Sequence, residues 1–118
     1  MEEFFCKTKI LAGAGAVSAL SSLRKKRLFL VADPFFVKNG TAKRIVELSQ
    51  CECSEIFDKI QPDPTVELAA EGTARLRAFA PDLLVALGGG STLDCAKAMA
   101  YFAKGDCLLA AIPTTSGS

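Results

Sequence analysis

Three unbroken apolar runs punctuate the chain: Leu28-Phe29-Leu30-Val31-Ala32, Leu83-Leu84-Val85-Ala86-Leu87 and Cys107-Leu108-Leu109-Ala110-Ala111-Ile112. None alternates apolar with polar positions, so each reads as a short parallel strand covered on both faces. Lys9-Ile10-Leu11 and the segment from Ser54 to Phe57 read as two further short strands. Between the runs the apolar spacing changes to three and four. Thr41 caps a helix with Ala42, Ile45, Val46 and Ser49 on one face. Asp63 as N-cap and Pro64 in the first turn start another, with Val66, Ala69, Thr73, Leu76 and Phe79 as its buried stripe and Pro81 as its stop. Ser91 or Thr92 caps a helix over residues 93–103. A first helix runs to about Lys26, whose end the basic cluster Arg24-Lys25-Lys26-Arg27 marks as solvated. Phe35-Phe36-Val37 leads into a turn at Lys38-Asn39-Gly40. Strand and helix thus alternate throughout. That order implies an α/β fold: a parallel sheet with helices on both faces and right-handed crossovers.

Length and composition narrow the class. The 118 residues make one domain, large enough to bury a core. Half are hydrophobic and the net charge is +1, so no basic footprint for nucleic acid is present. No apolar run reaches membrane-spanning length, and Met1-Glu2-Glu3 is acidic where a signal peptide is basic. The five cysteines, Cys6, Cys51, Cys53, Cys95 and Cys107, form no CxxC pair, and their odd number speaks against a disulfide framework. Cys95 and Cys107 read as small core residues. Cys51-Glu52-Cys53 could hold a metal or be redox-active, on a weak signal. A cytoplasmic, reducing compartment fits this usage. The chain has no histidine, which removes Ser-His and Cys-His devices and the commonest ligand of a catalytic transition metal.

Candidate chemistry gathers at turns that follow strands. Gly88-Gly89-Gly90 lets the backbone turn sharply and lets a ligand approach without meeting a Cβ atom. The free N–H groups and positive dipole end of the helix behind it suit a phosphate. A tight turn without a ligand is the plain alternative. A second candidate is Gly13-Ala14-Gly15-Ala16-Val17-Ser18, a dinucleotide-type fingerprint with Ser in place of the third glycine. It ranks second because its strand is short and that glycine is missing. Asp33, about 20 residues further on at the end of the next strand, is placed for adenosine ribose hydroxyls or, equally, for a helix or turn cap. The hydroxyl-rich Pro113-Thr114-Thr115-Ser116-Gly117-Ser118 follows the last strand.

Two segments together, Gly88-Gly89-Gly90-Ser91-Thr92-Leu93-Asp94-Cys95-Ala96-Lys97 and Ala111-Ile112-Pro113-Thr114-Thr115-Ser116-Gly117-Ser118, resemble the iron-containing alcohol dehydrogenase family, within the dehydroquinate synthase-like fold. Asp33-Pro34-Phe35-Phe36 and Pro62-Asp63-Pro64-Thr65 sit at the family's spacings too. The resemblance covers essentially the whole chain but only the N-terminal, nucleotide-binding half of a several-fold longer family member. It implies a Rossmann-like domain over residues 1–118, truncated before a C-terminal helical metal-binding domain. By position, Gly89, Gly90 and Ser91 hold the NAD pyrophosphate, and Asp94 sits beside the nicotinamide-side phosphate or ribose. Thr114 and Thr115 contact the adenosine side, Ser118 faces the pyrophosphate or nicotinamide side, and Asp33 meets the adenine ribose. A carboxylate there repels a 2′-phosphate, so NAD is favoured over NADP. Asp63 stands where many relatives have Asn, which leaves its cofactor contact in question.

The implied activity is hydride transfer between an alcohol and NAD, assisted by iron or zinc whose ligands lie outside this chain. Small alcohols or aldehydes are the implied substrates, reached through the other domain, with a homo-oligomer as a possible assembly. The chain alone is expected to bind nucleotide without turning over an alcohol. Three alternatives stay open: a dehydroquinate synthase-like lyase, a glycerol dehydrogenase-like zinc enzyme, and a non-catalytic nucleotide-binding module. The Thr114-Thr115-Ser116-Gly117-Ser118 ending speaks for the alcohol dehydrogenase branch over the first.

Overall fold

The computed structural model describes residues 7–10, 26–59, 66–103 and 108–113. Five strands, β1 (Lys7–Ile10), β2 (Arg27–Ala32), β3 (Cys53–Phe57), β4 (Leu83–Gly88) and β5 (Leu108–Pro113), form one sheet in the order β1-β5-β4-β2-β3. Every neighbouring pair is parallel. The helices among the described residues are α1 (Pro34–Lys38), α2 (Thr41–Ser49), α3 (Val66–Phe79) and α4 (Gly90–Ala103). None is long and apolar enough to cross a membrane.

The pleat explains why the strand sequences do not alternate. Phe29 and Val31 point to one face and Leu28, Leu30 and Ala32 to the other. On the first face, Phe29, Val31, Leu84 and Ala86 meet Leu68 and Leu76 of α3 and Cys95, Ala96 and Met99 of α4. On the second, Leu30, Val85 and Leu87 meet Phe36 of α1 and Ala42 and Ile45 of α2. Both faces are therefore covered, as the unbroken runs imply. Cys95 is a buried core residue, and burial pushes its thiol pKa up.

Several local expectations are corrected. The buried stripe of α3 is Leu68, Gly72 and Leu76, while Val66 is 83 % exposed. Gly72 sets this rotation, because a Cβ there would lie 2.7 Å from Met99 Sδ, so α3 meets α4 through a side chain that is absent. Segment 35–37 leads into the expected turn at Asn39 and Gly40, but it is itself helical, part of α1, started by Asp33 as N-cap and Pro34 in the first turn. Gly40 in the left-handed region (φ 89°), not Thr41, is the N-cap of α2. Helix α4 begins at Gly90 rather than after a Ser91 or Thr92 cap, with the Gly89 carbonyl accepting from Leu93 N at 3.1 Å. Arg27 is not a solvated helix end. It opens β2, its Nε donates to Phe79 O at 3.1 Å, and its guanidinium lies 4.4 Å over the Phe79 ring. The Arg27 group thereby satisfies a carbonyl at the end of α3. The predicted first helix, its Gly13-Ala14-Gly15 turn, the Asp63-Pro64 helix start, Cys6 and Cys107 lie outside the described residues.

Ala80, which follows α3, sits in the left-handed region at φ 53°. An L side chain there costs about 1–2 kcal/mol, part of which glycine gives back as extra freedom in the unfolded chain. Ala80→Gly is expected to raise stability by about 0.5–1 kcal/mol, read as a higher urea midpoint. A lower midpoint would show that the left-handed geometry is not strained.

Candidate functional site

Sheet order decides where a ligand can sit. From β2 the chain continues to β3 on one side, and from β4 it continues to β5 on the other. β2 and β4 are adjacent, so their connections leave in opposite directions. The crevice outside the carboxyl ends of two such strands is the topological switch point, where ligands of open α/β sheets bind. Ala32 pairs with Leu87, and Asp33 N donates to Leu87 O at 3.3 Å. The register thus sets Asp33 beside the start of the glycine turn.

Each glycine of the turn has its own reason. Gly88 ends β4 at φ 148°, and a Cβ there would lie 2.7 Å from Thr92 Oγ1. No other residue fits that position without displacing the first turn of α4. At Gly89 and Gly90 a Cβ would meet nothing within 4 Å, so both border open space. Gly89, Gly90, Ser91 and Asp94 are exposed. They rim the start of a 14-residue helix, whose first N–H groups lack intrahelical acceptors and whose dipole is positive at this end. The combination of open space, free donors and positive potential suits a phosphate group.

Asp33 lies at the rim in extended backbone, φ −61° and ψ 137°. Its Oδ1 accepts from Phe35 N at 2.9 Å, which makes it the cap of α1. A carboxylate offers about four acceptor sites, so capping leaves capacity for a second donor. Both readings of Asp33 are therefore compatible in one side chain. Thr114, Thr115, Ser118 and Asp63 lie outside the described residues, although β5 delivers Pro113 opposite Gly88. The structure brings together Asp33, Gly89, Gly90, Ser91 and Asp94 at one end of the sheet. Sequence reasoning missed Thr92, read as a helix cap and found buried beneath Gly88. A hydroxyl two residues after a glycine triplet is the only signal that could have flagged it.

Metal chemistry has no comparable support in these residues. Among the described residues no group of three or more His, Cys, Asp or Glu side chains could hold a metal ion, and the sequence has no histidine. Cys53 is exposed at the sheet edge, while the half-buried Cys51 packs against the apolar core beside α2.

The sequence profile of the family described as iron-containing alcohol dehydrogenase matches residues 7–118. The chain is similar to 1-propanol dehydrogenase of Citrobacter freundii, with 31 % identity over all of this chain and 33 % of that protein. It is also similar to the NADPH-dependent butanol dehydrogenase of Clostridium saccharobutylicum, at 32 % identity over 86 % of this chain and 27 % of that protein. In fold it resembles the sulfoacetaldehyde reductase of Bifidobacterium kashiwanohense, solved in complex with NAD+. That match has a TM-score of 0.81 and 24 % identity, over 100 % of this chain and 37 % of that one. The chain spans about a third of the length of these proteins.

Proposed function

The chain belongs to the iron-containing alcohol dehydrogenase family, and from that premise we propose that it is the dinucleotide-binding part of an enzyme that interconverts alcohols with aldehydes or ketones. The observation that carries this reading is the glycine turn at the switch point. Open space over Gly89 and Gly90, free helix N–H groups and Asp33 all face one crevice end.

In this reading the pyrophosphate lies on the start of α4, held by the N–H groups of Gly90 and Ser91 and the Ser91 hydroxyl. Asp94, on the same helix start, orients the ribose or phosphate next to it. Asp33 accepts from the adenosine ribose hydroxyls while still capping α1. Thr114, Thr115 and Ser118 complete the adenosine and pyrophosphate contacts. NAD when bound supplies the hydride acceptor and, reduced, the donor. In this reading the family's metal is held by residues outside this chain, and among the described residues no group of three or more His, Cys, Asp or Glu side chains could hold it. The alcohol pocket belongs to that same remainder, and the chain alone binds nucleotide without oxidising an alcohol.

Asp33 favours NAD over NADP, since its carboxylate faces a 2′-phosphate as a like charge. The NADPH-dependent relative makes this choice worth measuring. Calorimetric titration of the chain is expected to show NADH binding at least about tenfold tighter than NADPH. Asp33→Asn retains an acceptor for the cap and removes the charge. It is expected to narrow that gap without loss of fold. Absence of binding by either nucleotide overturns the proposed site, and an unchanged gap in Asp33→Asn removes Asp33 from the discrimination.

A further inference from the structure

Thr92 is 2 % exposed, yet its hydroxyl makes no hydrogen bond with any other group among the described residues. A buried hydroxyl without a partner is costly, on the order of 1–3 kcal/mol, and such groups are uncommon in folded proteins. Most helix-start threonines turn the hydroxyl to a nearby backbone group. Thr92 does not. Helical side chains lean toward the helix N-terminus, and this one leans over the first turn of α4 into the space a Gly88 side chain would occupy, with Oγ1 2.7 Å from that Cβ position. The glycine and the hydroxyl therefore share one small cradle under the turn. Ser91, beside it in sequence, is exposed and needs no such arrangement.

We propose that Thr92 is part of the dinucleotide site: the bound pyrophosphate, through a water seated on Thr92 Oγ1, supplies the partner this hydroxyl lacks. The inference rests on the reading of the α4 start as the pyrophosphate site and adds a positioning residue to it. A water so placed has the Thr92 hydroxyl, turn backbone groups and a phosphate oxygen as partners, the two to four that a held water requires. Thr92 thereby couples occupancy of the turn to the internal packing of α4. It touches the ligand through the water only.

The test separates this role from a merely structural one. Thr92→Val keeps the shape and removes the hydroxyl, and Thr92→Ser keeps the hydroxyl. Without nucleotide, Thr92→Val is expected to melt at or above the wild-type temperature, because an unsatisfied group has been removed. In calorimetry it is expected to bind NADH about tenfold more weakly, and Thr92→Ser within about twofold of wild type. Should Thr92→Val fail to fold, Thr92→Ala provides the same comparison. NADH affinity equal to wild type in the hydroxyl-free variant overturns the proposal alone. No NADH binding by the wild-type chain overturns the pyrophosphate reading and this proposal with it.

Discussion

Gly88→Ala is expected to cost about 3 kcal/mol of stability and to weaken NADH binding more than tenfold. Two effects combine. At φ 148° an L side chain is strained, worth about 1–3 kcal/mol. The new Cβ also lands 2.7 Å from Thr92 Oγ1 and 3.1 Å from Thr92 Cβ, an overpacking worth a further 1–3 kcal/mol, roughly. Neither neighbour can yield cheaply, since Thr92 is buried on the first turn of α4 and Gly88 is fixed by its pairing with Pro113. Relief comes only by moving the turn, which displaces the N–H groups proposed to hold the phosphate. Urea unfolding measures the first effect and calorimetry the second. Thr92→Ala in the same chain is expected to recover about 1 kcal/mol, since it removes the hydroxyl and methyl but not the backbone strain. A Gly88→Ala variant within 1 kcal/mol or so of wild type would sink this account of the turn.

What the sequence disclosed and what it withheld follow from one distinction. Unbroken runs such as Leu83 to Leu87 announce a strand because burial on two faces permits no polar position, and β2 to β5 lie where such runs or short apolar segments place them, while β1 starts at Lys7, two residues ahead of the expected Lys9-Ile10-Leu11. The Gly88-Gly89-Gly90 turn was legible because glycine has few other reasons to triplicate. Strand order was not legible. No local pattern says that β4 inserts between β2 and β5, yet that insertion makes the crevice by setting Asp33 beside Leu87. Helix faces were only partly legible. Ala42, Ile45 and Ser49 of α2 are buried as spaced, but on α3 the close approach of Gly72 to Met99 turned the helix away from the stripe that Val66 would have joined. A glycine is silent in an apolar count even when it is the point of contact. Asp33-Pro34 carried the same start signal as Asp63-Pro64 and was read as the end of a strand. It is both, because Asp33 alone separates the end of β2 at Ala32 from the start of α1 at Pro34.

Asp82→Ala is expected to cost about 3 kcal/mol while leaving NADH affinity of the folded protein within about twofold of wild type. The Asp82 carboxylate accepts from Lys26 N at 3.0 Å and from Arg27 N at 2.9 Å. Its backbone N donates to Arg27 O and its carbonyl accepts from Leu108 N, both at 3.1 Å. One residue thus ties together the entrances of β2, β4 and β5. Hydrogen bonds to a charged acceptor contribute roughly 1.5–3 kcal/mol each, less where water competes, and Lys26 is exposed. The sum is therefore set at the low end of two such contributions. Alanine leaves two backbone N–H groups to find water, whereas Asp82→Asn keeps one acceptor and is expected to lose about half as much. The strand rise of roughly 3.3 Å per residue puts the six residues of β4, near 20 Å, between this knot and the glycine turn. The buried rows of both strands hold the register over that distance, so the damage stays at the far end. A folded Asp82→Ala protein that loses NADH affinity along with stability would show that the β2–β4 register, and with it the seat of Asp33 beside the turn, is set at the strand entrances rather than by the core.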